Sequence, residues 1–470
     1  MTDPAYSPRL RTAVLLCGTG TAGYYQAGVM GALAESGVKI DVVAGHGPGV
    51  ANALYAAIDG DSRLWEGAGP WGGAGLAGAY RWRAGLRVAA LGLWLAVGLL
   101  ISPLLILIAA AALYGASELA SLLSMPNAPA WLMAQYQKLF ELLFSPPIIP
   151  TIMPRAIVLS LLLVVGVLVL AAVRAFAREG SRRRVRGAFW WRLLGAPLTP
   201  EEPARTLTAG LWKQVRGASG AQMPDHAELG RRYVDVLAEN LGQPGFREVI
   251  VAVHDIDSRR DLIGAIVGGN RRTRFEERRP AAGPREAEVV DFAGTQRDLV
   301  VDFLSGALRL PVATAPWPMR FPTDSYWRGE LHHLCDRPEL GARLLAEVAA
   351  LGVEQVIVVS PAPQPGAPHA LRPRAGTLRG RIGEHVRSIE TAAVDDICAL
   401  AARNFAGVFA IRPVHNPIGP FDFRGIYDDA SDRHRSVEEL VKQGYDDAYR
   451  AFIDPFVAAG ERVELGDFRA

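Results

Sequence analysis

A glycine-rich loop near the start of the chain is the first place where residue types and spacing point to chemistry. It follows a short apolar run, residues 12–17, and precedes a stretch with helical periodicity, residues 24–36. Backbone N–H groups of such a loop, with the N-terminus of the following helix, form a site for an anion. We therefore predict an anion-binding or oxyanion loop made of Gly18, Thr19, Gly20, Thr21 and Gly23.

A second glycine-rich turn follows the next apolar run. It reads Gly45-His46-Gly47-Pro48-Gly49 and lies between a predicted strand at 39–44 and a predicted helix at 50–58. A G-x-S-x-G elbow places a nucleophilic serine on a strand-to-helix turn, beside backbone donors that stabilise an oxyanion. The two outer glycines have this spacing, but the central position holds glycine instead of serine.

Together these motifs resemble those of the patatin-like phospholipase family. Within residues 12–60, CGTGTAGYYQAGVMGAL matches the family's oxyanion motif and IDVVAGHGPGVANAL matches its elbow. A weaker resemblance covers residues 230–430, through Gly329–Pro338 with the following LLAEVAALGVEQVIVVS, and through Asp422–Asp429. The resemblance implies an α/β patatin-like sandwich with a largely parallel central sheet, and lipid acyl hydrolysis by a serine–aspartate dyad.

Neither residue of that dyad is matched. Gly47 has no side-chain oxygen, and the family's DG[GA] motif does not occur; Asp59-Gly60 lies just after the elbow helix. An ungapped count from Pro338 puts the aspartate's counterpart near Glu330. Because loss of the nucleophile costs about 10⁶ in kcat in a serine hydrolase, the sequence predicts that serine-type hydrolysis is lost.

Two side chains near these motifs are weak candidates for a replacement. His46 could act as a base or nucleophile, or could hydrogen-bond locally. Glu330 is a carboxylate without a partner serine. His254-Asp255-Ile256-Asp257 ends a predicted strand, where active-site groups gather in open α/β sheets. His332-His333 with Cys335 and Asp336 could form a metal site, but the spacing fits no structural zinc pattern. We therefore predict no metal and no cofactor.

A dinucleotide-binding reading of the first loop is an alternative. The spacing Gly18-x-Gly20-x-x-Gly23 is the one used there, and an acidic residue at the end of the next strand should then hold the ribose. Asp41 starts that strand, and its end carries Gly45 and His46. The sequence therefore favours acyl chemistry over dinucleotide binding.

Two uncharged apolar runs predict membrane spans. Val88–Ser117 and Ala156–Val173 contain no charged side chain. A helix of 18 residues reaches roughly 27 Å, close to the hydrocarbon thickness of about 30 Å. We predict spans near 88–114 and 156–174, the first kinked at Pro103; a pair of buried core helices is the alternative.

The placement of lysine and arginine predicts the orientation. Only Lys138 and Arg155 lie between the runs. Arginines are concentrated on the outer flanks, at Arg81, Arg83, Arg87, Arg174, Arg178, Arg182, Arg183, Arg184, Arg186 and Arg192. By the positive-inside rule the soluble part is cytoplasmic and the loop lies outside.

Two further membrane contacts follow from the same pattern. Arg182, Arg183, Arg184 and Arg186 could contact anionic headgroups. The stretch Trp131–Phe144 could lie in the membrane interface or form a short packed amphipathic helix.

Composition excludes several classes of protein. The chain has 470 residues, a net charge of +2 and three cysteines. Nothing in that balance indicates nucleic-acid binding. Three dispersed cysteines fit a reducing compartment and exclude a disulfide scaffold.

The pattern of elements predicts one α/β domain split by a membrane hairpin. Residues 8–75 form its first part, 76–192 the hairpin and 193–470 the remainder with C-terminal helices. Residues 195–230 and 361–381 are predicted to be rich in loops. Beyond the hairpin we predict strands at 248–254 and 356–360, and helices near 227–240, 299–308, 339–351, 389–403 and 436–459.

Three functional hypotheses remain open at this point. The first is a membrane-anchored protein of lipid metabolism, a degenerate lipid acyl hydrolase that binds lipid or an unidentified protein partner without serine-type hydrolysis. The second is an active phospholipase or esterase with a non-serine nucleophile. The third is a membrane scaffold or accessory protein built around the hairpin.

Overall fold

A computed structural model describes most of the chain. The residues described are 6–59, 64, 69–72, 76, 78–146, 149–178, 195–277, 284–364, 376–414, 418–428 and 433–457. They divide into two compact units, one running from Trp82 to Pro197 and the other combining the residues up to Arg81 with those from Leu198 onward.

The larger unit is a mixed α/β structure built on one main sheet. The described strands are β1 (Thr12–Leu16), β2 (Val42–Gly45), β3 (Arg81–Trp82), β4 (Leu198–Thr199), β5 (Glu248–Asp255), β6 (Arg260–Ile266), β7 (Val289–Asp291), β8 (Trp317–Arg320), β9 (Leu331–Cys335), β10 (Gln355–Val359), β11 (Gly407–Ile411), β12 (Ile426–Asp428) and β13 (Arg433–Arg435). The main sheet has the order β11-β10-β1-β2-β5-β6-β7, and β9 pairs with both β5 and β8. Neighbours from β11 to β5 are parallel, whereas β5 with β6, β5 with β9 and β8 with β9 are antiparallel.

Parallel pairing explains why the two glycine-rich motifs meet. In β1 and β2, Leu16 pairs with Gly45. The loop after β1 and the turn after β2 therefore leave the same edge of the sheet. Both strands are fully buried, as their continuous apolar sequences indicate.

Helices of the larger unit pack against this sheet, whereas the helices between Trp82 and Pro197 belong to the smaller unit. The described helices are α1 (Ala22–Glu35), α2 (Pro48–Ala56), α3 (Ala84–Leu122), α4 (Ala128–Phe144), α5 (Ile149–Arg178), α6 (Glu201–Arg216), α7 (His226–Asn240), α8 (Gly269–Glu277), α9 (Val300–Ala307), α10 (Leu340–Ala350), α11 (Leu378–Asn404) and α12 (Val437–Ala448), with a π-helical turn at Tyr449–Ile453. A core cluster joins β1, β2, β5, β6 and β10 to α10 and α11, through residues such as Leu15, Ile250 and Leu344.

Helix α1 is buried from Ala22 to Leu33 and packs against α12. Glycines allow the two backbones to approach closely. A Cβ atom added to Gly28 would lie 1.9 Å from the Val441 carbonyl oxygen, and one added to Gly444 would lie 2.1 Å from the Tyr25 carbonyl oxygen. Tyr25 also donates a hydrogen bond to Asp447, with 3.0 Å between Oη and Oδ2.

The smaller unit contains α3, α4 and α5. Two of its helices, Ala84–Leu122 and Thr151–Arg174, are long and apolar enough to cross a membrane, with mean hydropathies of 2.6 and 3.2. Only 11% and 6% of their most apolar windows are buried. The helices are therefore not core helices within the part of the chain that the structure describes. Pro103 lies inside α3 as predicted.

Small residues line the contact between α3 and α5. A Cβ atom on Gly92 would lie 3.0 Å from Val164 Cγ2. The stretch Trp131–Phe144 belongs to helix α4, which packs along α3 through Tyr114 and Tyr136, with ring centroids 5.7 Å apart. The stretch is thus helical, as both alternatives for it require.

Several local predictions need correction. Residues 201–216 form helix α6, although the segment was predicted to be rich in loops; its apolar positions Leu207 and Leu211 are buried. Helix α11 begins at Leu378, inside the predicted loop 361–381, because Thr377 caps it by accepting a hydrogen bond from the Gly380 N–H. Arg182, Arg183, Arg184, Arg186 and Arg192 lie outside the described residues.

Candidate functional site

The turn after β2 is a sharp elbow with Gly47 at its tip. Gly47 precedes α2 with φ 57° and ψ −136°, a conformation that strongly favours glycine. The outer glycines are needed for close approach. A Cβ atom on Gly45 would lie 2.3 Å from the Gly49 carbonyl oxygen, and one on Gly49 would lie 2.5 Å from the Leu16 carbonyl oxygen. Pro48 starts the helix, where its missing N–H is not needed.

The direction in which a residue-47 side chain would point is occupied. A Cβ atom on Gly47 would lie 2.4 Å from the Gly18 carbonyl oxygen and 2.8 Å from Asp336 Oδ2. The carboxylate of Asp336 therefore faces the elbow tip, and it lies closer to the position of a residue-47 Cβ atom than ordinary van der Waals contact allows. It comes from the residue directly after β9, whose N–H donates to the Arg309 carbonyl.

This placement revises the assignment of the facing carboxylate from Glu330 to Asp336. Glu330 lies just before β9, its side chain is 66% exposed, and its carboxylate is 3.4 Å from His332 Nε2. The ungapped count could not show that a whole strand, β9, separates the two carboxylates. Functional groups of α/β sheets lie just beyond the ends of strands. Predicting a strand at 331–335 would therefore have pointed to Asp336, the residue that follows it.

His46 and Asp336 form a buried pair. His46 Nδ1 lies 3.0 Å from Asp336 Oδ1, with side-chain exposures of 1% and 0%. Burial lowers the pKa of His46, but the charge of Asp336 and its hydrogen bond outweigh burial and raise the pKa to about 10. At neutral pH the imidazole is therefore protonated. His46 Nε2 and Asp336 Oδ2 have no hydrogen-bond partner among the described residues.

The glycine-rich loop adopts the tight turn that its sequence indicates. Gly18 and Gly20 have φ values of 130° and 54°. The loop is covered on two sides. A Cβ atom on Gly20 would lie 1.9 Å from the Pro420 carbonyl oxygen, and one on Gly23 would lie 2.1 Å from the Trp71 ring. The hydroxyl of Thr21 has no hydrogen-bond partner among the described residues.

A third ionisable group, Glu390 of α11, contacts this loop. Thr19 Oγ1 donates to Glu390 Oε1 at 2.5 Å. Glu390 is 4% exposed. Burial raises its pKa to about 7, against the opposing effect of the Thr19 hydrogen bonds. No sequence signal marked this residue, because it is one of many charges on a long helix.

A chain of amide hydrogen bonds fixes the loop to the helices. Gln26 Nε2 donates to the Cys17 carbonyl at 3.0 Å, and Asn52 Nδ2 donates to the Gly23 carbonyl at 3.1 Å. Trp71 Nε1 donates to Asn52 Oδ1 at 2.6 Å. Loop and elbow therefore form one rigid buried assembly, with 0–2% exposure for the polar side chains of Thr19, Thr21 and His46.

The other histidines named in the sequence pair with carboxylates of their own. His332 Nδ1 lies 2.5 Å from Asp255 Oδ2, and its ring packs against Trp327. The remaining nitrogen–oxygen distances are 2.8 Å for His254 with Asp261 and 2.7 Å for His333 with Asp257. Among the described residues, no three His, Cys, Asp or Glu side chains form a group that could hold a metal.

The sequence and the structure were compared with known proteins. No family model matches the sequence, and no curated protein matches it. Among solved structures, VipD from Legionella pneumophila aligns with 12% identity and a TM-score of 0.34, over 95% of this chain and 67% of that one. A likeness of this size carries no argument about fold or function.

Proposed function

We propose that this chain is a degenerate patatin-like lipid acyl hydrolase that keeps an anion-binding loop but does not perform serine-type hydrolysis. The observation that carries the proposal is the closed elbow. Gly47 offers no oxygen, and the space for a side chain there is filled by the Gly18 carbonyl and Asp336. The elbow, the loop and the carboxylate have the arrangement that the family resemblance leads one to expect, without the attacking atom.

The pairing of His46 argues against a substitute nucleophile. A histidine acts as base or nucleophile through a lone pair on a neutral ring. The pKa of His46 is lowered by burial but raised further by Asp336, to about 10, which keeps the ring protonated at neutral pH. The imidazolium is also buried. We infer that the pair maintains the shape of the elbow rather than attacking an ester.

The proposed ligand is a lipid or an acyl group. A cavity of about 520 Å³ is lined by Trp71, Gly72, Glu438, Val441, Lys442, Tyr445 and Asp446. Trp71 also contacts Gly23 of the loop. One aromatic side chain therefore separates a partly apolar cavity from the anion site, as would suit a molecule with an acyl chain and a polar head.

Membrane anchoring is the second part of the proposal. The exposed apolar surfaces of α3 and α5 support it, because contiguous apolar surface of this extent is rare on soluble proteins. By the positive-inside rule, the arginine-rich flanks support a soluble unit on the cytoplasmic side. Anionic headgroups are the proposed partners of Arg182, Arg183, Arg184 and Arg186.

A hydrolysis assay on the full chain in detergent tests the chemistry. We expect no release of fatty acid from phospholipid, and no p-nitrophenol from a p-nitrophenyl ester, above the rate without protein. His46→Gln and Asp336→Asn should leave this baseline unchanged.

The rival function, an esterase that uses His46, predicts a different pattern. Rapid ester cleavage by the unaltered protein that is lost in His46→Gln would establish the rival. Ester cleavage that persists in His46→Gln would contradict both the proposed loss of hydrolysis and an esterase that uses His46. Gly47→Ser supplies the absent oxygen but its Cβ would meet the Gly18 carbonyl at 2.4 Å, so we expect no cleavage from this variant either. Cleavage that appears only in Gly47→Ser would show that the missing oxygen alone prevents hydrolysis, and would contradict the closed elbow.

A further inference from the structure

The carboxylate of Glu390 occupies the loop that was predicted to bind an external anion. It accepts a hydrogen bond from the hydroxyl of Thr19, the second residue of that loop, with 2.5 Å between Oγ1 and Oε1. A side-chain donor of the loop therefore holds this carboxylate. Glu390 reaches the loop from the middle of α11, which is far away in sequence and brought to it only by folding.

Burial makes this contact costly unless the loop binds the carboxylate well. Glu390 is 4% exposed and makes no ion pair with lysine or arginine among the described residues. Removing a carboxylate from water without such a partner is unfavourable, and burial accordingly raises the pKa of Glu390 to about 7 even though the Thr19 hydroxyl hydrogen bond favours the charged form. His46 is the cation whose charge acts on Glu390, and Asp336 opposes it.

We propose that Glu390 is an internal ligand of the glycine-rich loop, and that an external carboxylate, the head group of a fatty acid, binds there by displacing it. The inference rests on the proposed function for the class of ligand. The loop should prefer a carboxylate because the Thr19 hydroxyl already donates to one. In the state described, the site is closed by a contact within the chain, with Pro420 covering the loop.

Hydrogen exchange of the loop amides tests the internal contact. Glu390→Gln keeps the size of the side chain and removes its charge, and Thr19→Val removes the hydroxyl donor from the other side of the same contact. A hydrogen bond to a charged group is worth about 1.5–3 kcal/mol, so exchange in residues 18–23 should be about tenfold faster or more in both variants.

Asp396→Asn is the matched control, since Asp396 is exposed on the same helix and undergoes the same carboxylate-to-amide change. It should leave loop exchange unchanged. Equal exchange in the unaltered protein, Glu390→Gln and Thr19→Val would show that Glu390 does not hold the loop, and would overturn the inference. Agreement of two variants altered on opposite sides of the contact guards against a folding defect in either one.

Binding of hexanoate to the full chain in detergent tests displacement, with hexanamide as its uncharged counterpart. We expect hexanoate to bind Glu390→Gln about tenfold tighter than the unaltered protein or Asp396→Asn. Hexanamide should not distinguish the three. Equal hexanoate affinity in all three, or none in any, would overturn displacement by a carboxylate. Neither result bears on whether esters are cleaved, so the proposed loss of hydrolysis stands or falls separately.

Discussion

At the scale of single residues, the site depends on a buried charge pair in place of a nucleophile. His46 and Asp336 are within 3.0 Å and nearly inaccessible to water. Such a pair is sensitive to the loss of either member, because the remaining charge is left buried without compensation. The pair therefore indicates that the elbow has one defined conformation. It does not by itself indicate that the pair adds to the free energy of unfolding.

Asp336→Asn should strongly destabilise the protein. The substitution keeps the shape of the side chain but leaves the buried His46 without its carboxylate, and breaking a buried pair costs about 3–5 kcal/mol. Denaturant unfolding of the full chain in detergent measures the loss. In the double variant His46→Gln/Asp336→Asn part of it should be recovered; simple additivity of the two losses would contradict the pairing.

Stability should also fall with rising pH. The folded-state pKa of His46, lowered by burial but raised further by Asp336, is about 10 against an ordinary value of 6.5. The folded protein therefore binds a proton that the unfolded chain releases between these values. The stabilisation is complete below about pH 6.5 and is lost as the pH rises through 10. His46→Gln should flatten the dependence of the unfolding free energy on pH; an unchanged slope would contradict the raised pKa.

At the scale of elements, parallel pairing and close helix contacts position the site. The loop and the elbow meet because β1 and β2 are parallel neighbours with Leu16 opposite Gly45. Helix α1, which follows the loop, is held by α12 through backbone contacts at Gly28 and Gly444. A substitution that separates α1 from α12 should therefore also displace the loop that precedes α1.

Gly444→Ala should destabilise the larger unit by about 1–3 kcal/mol, the usual cost of overpacking. The added methyl group would meet the Tyr25 carbonyl at 2.1 Å, and two helix backbones must separate to admit it. Thermal unfolding measures the effect. Gly220→Ala is the control, because nothing lies within 4 Å of its added carbon. Equal unfolding temperatures for the two variants would show that α1 and α12 are not tightly packed.

At the scale of the whole molecule, a unit with exposed apolar helices interrupts the sequence of an α/β unit. The chain leaves the larger unit at Arg81 and returns to it at Leu198. A hairpin with both ends on one side of a membrane would allow this, since its two termini must rejoin the same folded unit. The arrangement fits the positive-inside pattern of the flanks.

Labelling with a membrane-impermeant maleimide in intact cells should reveal this topology. Met125→Cys introduces a cysteine between α3 and α4, and Met223→Cys introduces one in the larger unit. Both methionines are exposed. Cys17 and Cys335 are buried, so only Cys398 needs prior replacement. We expect labelling at 125 in intact cells, and at 223 only after lysis. Labelling at 223 in intact cells would refute a cytoplasmic larger unit.

The sequence by itself determined the local features whose causes are local. Glycines at 18, 20, 45, 47 and 49 indicated turns because those turns require positive φ or close approach. The apolar runs indicated buried strands such as β1 and β10, and the uncharged stretches indicated α3 and α5. Local pattern failed at α6, whose buried face lies within a polar, proline-containing segment.

The tertiary structure alone decided which carboxylates meet the two motifs. Asp336 faces Gly47 and Glu390 contacts Thr19, each from hundreds of residues away, and no local pattern encodes a contact between distant segments. Their positions depend on β9 pairing with β5 and on α11 packing across the sheet edge, which in turn depend on burial of the shared core. The sequence shows that residue 47 has no side-chain oxygen. Only the tertiary structure shows that the Gly18 carbonyl and Asp336 fill the space beside it.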